Sequence, residues 1–289
     1  MTKKIGFIGQ GWIGKNYADD MEKRGYQTIR YSLNEAHVKN KDEIKNCDIV
    51  FIAVPTPTTT NGFSDKIVRE AIKLVGQGKT AVIKSTILPG TTESIQKESP
   101  DIFVLHSPEF LVAKTAEYDA AHPKRNIIGI PIDSPEYREK AEEVMAILPR
   151  ALFEKICPVK EAELVKYGSN CFLYLKVVYA NILYDLAEKL GCDWELVRDA
   201  IGADPRINQS HMEPIHADGR GAGGMCLVKD YEALLRFYLE KIGNDRGAQA
   251  LLAIREKNLE LLLNSKKSLD LIKEVYGEEM INGEKNKNI

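Results

Sequence analysis

The sequence predicts an α/β chain in which a doubly wound parallel sheet precedes an all-helical domain built around one long central helix. Two patterns carry this expectation. Up to residue 158, short runs of branched apolar residues alternate with amphipathic stretches. Such strand–helix alternation implies βαβ units, hence a parallel sheet covered on both faces. From residue 159 the strand-like runs stop and long apolar-periodic segments take over. The domains are therefore drawn at 1–158 and 159–289.

Taken in order, KKIGFIG, YQTIRY, CDIVFIAV, TAVIKS, DIFVLH and RNIIGI read as strands, being short and rich in branched residues. Helical patterns occupy 12–24, 65–76, 89–98 and 135–147. The stretch EAELVKYGSNCFLYLKVVYANILYDLAEKLG has no proline and ends on Gly191, which predicts one helix over 159–190. Leu164, Phe172, Leu173, Leu175, Val177, Val178, Ile182 and Leu183 surround much of that helix. Such a distribution fits burial within one subunit or between two. Further helices are expected at 193–201, 228–242 and 246–264, and the polar end 281–289 is expected to fray.

Bulk properties exclude several functions. The 289 residues carry a formal charge of −2, which gives no general attraction to nucleic acid or anionic lipid. No apolar run approaches the ~18 residues of a membrane span, and Met1 leads almost directly into the first strand without a signal peptide. Cys47, Cys157, Cys171, Cys192 and Cys226 are odd in number and scattered, which suits neither a disulfide framework nor a zinc site. A reducing cytoplasm is the expected setting. His211 and His216 lack helical i,i+4 spacing, so no metal is expected.

The first motif follows the first strand and opens a helix: Gly9-Gln10-Gly11-Trp12-Ile13-Gly14. In GxGxxG the first glycine makes the tight turn and the second admits a pyrophosphate to the backbone. The third lets helix and strand pack closely, and the helix N-terminus attracts phosphate charge. Gly9, Gly11, Trp12, Ile13 and Gly14 are thus candidate cofactor residues of a Rossmann-type NAD(P) domain. The acidic residue that normally receives the adenosine ribose after the second strand is missing; Ser32 stands there. A serine can bond a ribose hydroxyl or leave room for a 2′-phosphate, and Arg30 could share its face by strand alternation. NAD is the leading cofactor and NADP stays open.

Four further blocks carry a resemblance. They are DIVFIAVPTPTTTNG (48–62), VIKSTILPGTT (82–92), HSPEFLVAKTA (106–116), and the pair EAELVKYGSNCFLYLKV (161–177) with GGMCLVKD (223–230). In this order they resemble the UDP-glucose/GDP-mannose dehydrogenase family over nearly the whole chain. The resemblance implies oxidation of a sugar 6-hydroxymethyl to a carboxylate, with two successive hydride transfers to NAD. Val54, Pro55 and Thr56 then belong to the loop over the cofactor, and Lys229 is counted with the cofactor residues.

Cys226 is the natural nucleophile of such a reaction. An aldehyde must become tetrahedral before it gives up hydride; a thiolate adds well, and hydride loss leaves a hydrolysable thioester. Lys229 would favour the thiolate; Asp230, opposing it, would orient a water or a lysine. The other four cysteines are expected to be inert. Lys166 and Asn170 share one helix face by their spacing, which alone marks only a polar pair. The resemblance implies that Lys166 stabilises developing negative charge and Asn170 positions an oxygen. It also implies Glu109 as general base for hydrolysis and Thr86 as holder of the catalytic water beside the cofactor. Phe110, Leu111 and Gly223 line the substrate, and Arg206 reaches into a neighbouring subunit's site, with helix 159–190 as the spine of a homodimer.

Three departures matter. Ala113 and Lys114 replace the family's second carboxylate. About four residues are inserted between Arg206 and Cys226, bringing His211, His216 and Arg220, which are expected in a solvated loop. The family's further α/β domain, of roughly 100 residues, has no counterpart after the helical region. A separate chain could supply that nucleotide clamp, or the substrate could be a smaller sugar phosphate. Two alternatives to the sugar oxidation stay in view: a two-electron β-hydroxyacid-type dehydrogenase, and a non-catalytic dinucleotide-binding relative.

Overall fold

The computed structural model describes residues 3–217 and 219–285. Contacts divide the chain into two units, Met1–Thr56 with Ser64–Lys166, and Pro57–Phe63 with Tyr167–Ile289. The division thus falls inside the long helix, after Lys166, and a short segment of the first half joins the second unit.

In chain order the elements of the first half are β1 (Lys4–Ile8), α1 (Trp12–Lys23), β2 (Gln27–Tyr31), a 3₁₀ segment Val38–Asn46, β3 (Ile49–Ile52), the two-residue strands β4 (Thr58–Thr59) and β5 (Gly62–Phe63), α2 (Lys66–Ile72), β6 (Thr80–Ile83) and α3 (Thr91–Glu98). There follow β7 (Phe103–His106), α4 (Ala116–Ala121), β8 (Arg125–Ile130), α5 (Pro135–Ile147) and β9 (Phe153–Pro158).

The first unit holds a seven-stranded sheet in the order β2-β1-β3-β6-β7-β8-β9. β3, β6 and β7 are central, and β3 (IVFI) and β6 (TAVI) are buried at every position, as strands covered on both faces must be. Phe7 stacks on Phe51 at 5.2 Å, with Tyr17, Met21, Val82 and Leu105 around them. Burying two such rings contributes roughly 2–3 kcal/mol each. Two differences from the sequence expectation appear at the far side of the sheet. β8 runs antiparallel to β7, meeting it at His106↔Gly129, so the sheet is parallel-dominated rather than all parallel. Beyond β8 lies β9, an edge strand that pattern reading misses because FEKICP is polar and only partly buried.

The long helix α6 (Val159–Leu190) begins in this unit. Gly129 leaves room for it: a Cβ there would meet Val159 Cα at 2.8 Å. Glu163, fully buried, accepts hydrogen bonds from Gly90 N at 2.6 Å, Thr92 N at 2.9 Å and Thr92 Oγ1 at 2.6 Å. Those backbone groups belong to the start of α3, so Glu163 caps α3 from a distance and fixes α6 in rotation and height.

The second unit contains the rest of α6, then α7 (Trp194–Gly202), a small hairpin of β10 (Ile215–His216) and β11 (Gly219–Arg220), and α8 (Met225–Lys241). α9 (Arg246–Asn264), α10 (Leu269–Tyr276) and α11 (Glu278–Lys285) complete it. Tyr174 stacks on Tyr231 at 3.9 Å in a core with Cys171, Val178 and Ala222. Two hairpins therefore interrupt the expected all-helical character. One is β4–β5, whose Thr59 carbonyl accepts a bond from Arg236 at 2.7 Å. The other belongs to the inserted loop, which is not simply solvated. The Arg220 guanidinium donates to Asn181 Oδ1 at 2.9 Å and pairs with Asp185 at 2.7 Å, pinning the insertion to α6. The frayed end expected at 281–289 begins inside α11, and 286–289 lie outside the described residues. No helix among the described residues is long and apolar enough to cross a membrane.

Replacing Glu163 with alanine orphans three buried donors at the start of α3. The expected loss is about 1–3 kcal/mol in urea unfolding followed by circular dichroism. A change within experimental error would show that the cap is dispensable.

Candidate functional site

The sheet order reverses at β1, with β2 on one side and β3 on the other, and ligands of doubly wound sheets bind at the carboxyl ends of strands at such a point. Gly9 ends β1 with φ +92°, and any Cβ there would collide with the Ala53 carbonyl. A Cβ at Gly14 would strike the Gly9 carbonyl. Around a Cβ at Gly11, by contrast, nothing lies within 4 Å. Two glycines are thus required by the protein's own packing, and the third faces open space. Gly11 caps α1 without any side-chain hydrogen bond, leaving the helix N-terminus to an external anion. These features fit a pyrophosphate, with Trp12 and Ile13 in the first helical turn.

Ser32 follows the last residue of β2, and its Oγ accepts from Asn34 N at 3.3 Å. Arg30, weighed above as a partner for a 2′-phosphate, is engaged elsewhere. It contacts Asp19 at 2.6 Å and Glu22 at 2.6 Å. After β3, Val54 N donates to Ser85 Oγ at 2.9 Å, and Thr56 Oγ1 donates to the Thr86 carbonyl at 2.7 Å. Pro55 sits between these anchors, so the loop is fixed to the residues that follow β6.

At the carboxyl ends of β6 and β7 lies a buried polar cluster. Lys166 Nζ and Glu109 Oε1 are 2.8 Å apart, with side chains only 6% and 4% exposed. Glu109 Oε2 accepts from Leu111 N at 2.9 Å, and the Phe110 ring lies 5.5 Å from Lys166 Nζ and 3.6 Å from the Arg125 guanidinium. Both carboxylate oxygens of the predicted general base are thus occupied. The sequence reading overlooks two neighbours. Lys84, buried, donates to Ser107 Oγ at 3.1 Å and stands 4.3 Å from the Tyr17 ring centre. Burial pushes its ammonium down to about 7, against the pull of Glu109 and with a push from Lys166. His106 is fully buried with neither ring nitrogen bonded among the described residues. Burial, then Lys84, takes it down to about 3, so the ring is neutral. A lysine inside the apolar run TAVIKS is the signal that could have marked Lys84.

In the second unit, Asn170 Nδ2 donates to Asp230 Oδ2 at 2.6 Å, and Lys229 Nζ holds Asp230 Oδ1 at 2.5 Å. Asp230 is buried. Cys226 is exposed and lies in the first turn of α8. The preceding glycines are clamped. Asn258 exchanges two hydrogen bonds with Ala222, at 2.7 and 3.1 Å, and a Cβ on Gly223 would meet Ser268 Oγ at 2.8 Å. Arg206 is largely exposed and pairs with Asp204 at 2.6 Å.

A glycine cradle on a doubly wound sheet, followed by a helical unit, defines the class: a nicotinamide-dinucleotide-binding protein of Rossmann type. Residues 35–148 match the NAD binding domain of the UDP-glucose/GDP-mannose dehydrogenase family, and residues 160–259 match its central domain. The chain belongs to that family. It is 35% identical over 213 residues to a UDP-glucose 6-dehydrogenase of Rhizobium meliloti, covering 68% of this chain and 47% of that one. Against a UDP-glucose 6-dehydrogenase of Rickettsia bellii it is 34% identical over 232 residues, covering 75% and 51%. The solved UDP-glucose dehydrogenase of the hyperthermophilic archaeon Pyrobaculum islandicum superposes with a TM-score of 0.77 at 26% identity, covering 91% of this chain and 70% of that one. The chain spans about half the length of the curated relatives it matches.

The glycines separate binding from folding. Gly11→Ala should keep the wild-type melting temperature while weakening NAD at least ~10-fold, since a methyl occupies the phosphate's space. Gly9→Ala should lower the melting temperature itself. Quenching of Trp12 fluorescence by NAD reads the first and calorimetry the second; equal NAD affinity in Gly11→Ala would dismiss the cradle.

Proposed function

We propose that the chain is a nucleotide-sugar 6-dehydrogenase that takes a sugar primary alcohol to a carboxylate through a covalent intermediate on Cys226. The carrying observation is the exposed cysteine in the first turn of α8, three residues before Lys229. A helix N-terminus favours an anionic side chain, which suits a thiolate. A dehydrogenase that stops at the aldehyde or ketone has no use for it.

The nicotinamide, when bound, supplies the hydride acceptor. Lys166 holds a positive charge for the alkoxide that develops as the alcohol loses its proton, and Asn170 orients that oxygen. Loss of a first hydride from the alcohol carbon gives the aldehyde, and the Cys226 thiolate adds to its carbonyl carbon, giving a thiohemiacetal. Loss of hydride from that carbon leaves a thioester. Water, held by Thr86 and deprotonated with help from Glu109, hydrolyses it and returns the thiolate. Asp230 bridges Lys229 and Asn170 and so keeps the Asn170 amide aimed. Phe110, Leu111 and Gly223 shape the substrate's surroundings.

Arg30's engagement with Asp19 and Glu22 withholds that guanidinium from a 2′-phosphate, which supports NAD. Phe172, Tyr179, Ile182, Leu186 and Leu190 are exposed along α6, an apolar stripe that supports a homodimer in which Arg206 serves the partner's site. A nucleophilic thiol must stay reduced, which supports a reducing setting such as the cytoplasm.

One observation favours the two-electron reading: both Glu109 oxygens are already bonded, so the hydrolytic base must first give up a partner. Counting decides between the two. With UDP-glucose as first substrate, two NADH should form per carboxylate, and Cys226→Ser should cut uronate formation at least ~10²-fold while leaving NAD binding intact. One NADH per product, or full turnover by Cys226→Ser, would remove the proposal.

A further inference from the structure

We propose that Lys267 and Ser268, in the turn between α9 and α10, are positioning residues that grip the glycine loop 219–224 and so aim the Cys226 thiol. This rests on the reading of Cys226 as the nucleophile, but one of its two tests does not.

The loop leads from β11 (Gly219–Arg220) into α8, whose N-cap is Gly224. A glycine cap has no side chain to fix it, and Cys226 stands two residues beyond. The placement of that turn therefore depends on what holds the loop backbone from outside. The turn after α9 does so at both ends. Lys267 Nζ donates to the Gly219 carbonyl at 3.3 Å and to the Gly221 carbonyl at 2.9 Å. Ser268 Oγ accepts from Gly224 N at 3.3 Å. Between them, Ser265 Oγ accepts from Arg220 N at 3.0 Å, and Asn258 holds both backbone groups of Ala222.

Both partners are shaped for this contact. A Cβ on Gly219 would meet Lys267 Cβ at 2.8 Å, and one on Gly223 would meet Ser268 Oγ at 2.8 Å and Lys267 Cε at 2.9 Å. The loop thus lacks side chains where the lysine stem lies along it. On the other side, Lys266 and Ser268 hold φ of +54° and +55°. Residues other than glycine seldom adopt that region and keep it only where their surroundings fix it. An apolar contact would fill the same space, but a cation aimed at two carbonyl oxygens also sets direction. Direction matters to a thiolate attacking a carbonyl, where a displacement of about 1 Å can cost ~10²-fold. The first hydride transfer does not use the sulfur and the second does, so a loosened loop should let the aldehyde escape.

Lys267→Met keeps the stem and removes the donor, and Lys266→Met, one residue earlier, controls for the lost charge. The first test is amide hydrogen exchange of the full chain, with neither substrate nor cofactor. Amides of 219–227 should exchange at least ~10-fold faster in Lys267→Met than in wild type or Lys266→Met, while those of α9 stay unchanged. Unchanged exchange in the loop, or faster exchange throughout the chain, would overturn the proposal. The second test is product partition with UDP-glucose and NAD, using semicarbazide to trap released aldehyde. Lys267→Met should form carboxylate at least ~10-fold more slowly, with KM within ~2-fold of wild type and trapped aldehyde rising. Both hydride transfers falling together, with no aldehyde trapped, would mean structural damage alone and would also overturn it. If Lys267→Met does not fold, Ser268→Ala removes the acceptor of Gly224 N and is read by the same two tests. A wild type that stops at one NADH per product would defeat the reading of Cys226 and the aiming role with it. Unchanged loop exchange alongside two NADH per carboxylate would defeat the clamp alone.

Discussion

A buried ion pair, Glu109 with Lys166, is the constraint from which much of the first unit follows. Two opposite charges taken out of water at 2.8 Å contribute little to stability, but removing one partner costs about 3–5 kcal/mol because the other is stranded. The pair therefore tolerates no slack in the elements that bear it. Glu109 comes from the segment after β7, tied down by the Leu111 N–H. Lys166 comes from α6, whose first turns are set by contact at Gly129, by Glu163 on the start of α3, and by Lys160 against Glu93 at 2.9 Å. Each device acts within one or two turns of Lys166. A helix held that closely can present an ammonium to a carboxylate with little loss of rotamer entropy at the moment of use.

The same economy appears in the second unit, where Asp230 is buried against Lys229 and Asn170. There the sequence spacing of Cys226, Lys229 and Asp230 acquires a physical meaning through α8. Residues three and four apart share a helix face, so Cys226, Lys229 and Asp230 lie along one side of the start of α8, running from the exposed thiol to the buried carboxylate. The glycines before it are not hinges. Gly221 has φ +86° with its would-be Cβ 2.9 Å from Asn258 Oδ1, so side chains are absent there because Asn258 needs the space.

How much of this was legible in the sequence depends on how local the signal is. The strands β1, β3, β6 and β7 and the helices α5, α6 and α9 follow from patterns that a short window contains, and the cradle follows from Gly9, Gly11 and Gly14 in their context. β9 was hidden because an edge strand half open to water has no apolar run to display. The antiparallel turn at β8 was hidden because RNIIGI looks the same in either direction. In the site, Lys166 and Asn170 were visible as a spacing, but their partners were not. Glu109 and Asp230 lie 57 and 60 residues away in sequence, and only the fold pairs them. Arg220 was read as a loop residue for the same reason, its partners Asn181 and Asp185 being on α6. Lys84 was quoted within its block without a role, since burial, not composition, makes a lysine unusual.

Setting the clusters side by side exposes an asymmetry that chemistry must resolve. Lys166 has Glu109 and Lys229 has Asp230, each a one-to-one match of cation and carboxylate. Lys84 has a hydroxyl and two rings. A third buried carboxylate would have balanced it, and nearby His106, already neutral, offers no compensation. Structural lysines in such positions gain little: an apolar side chain of similar length would fill the space beneath Tyr17 without the desolvation cost.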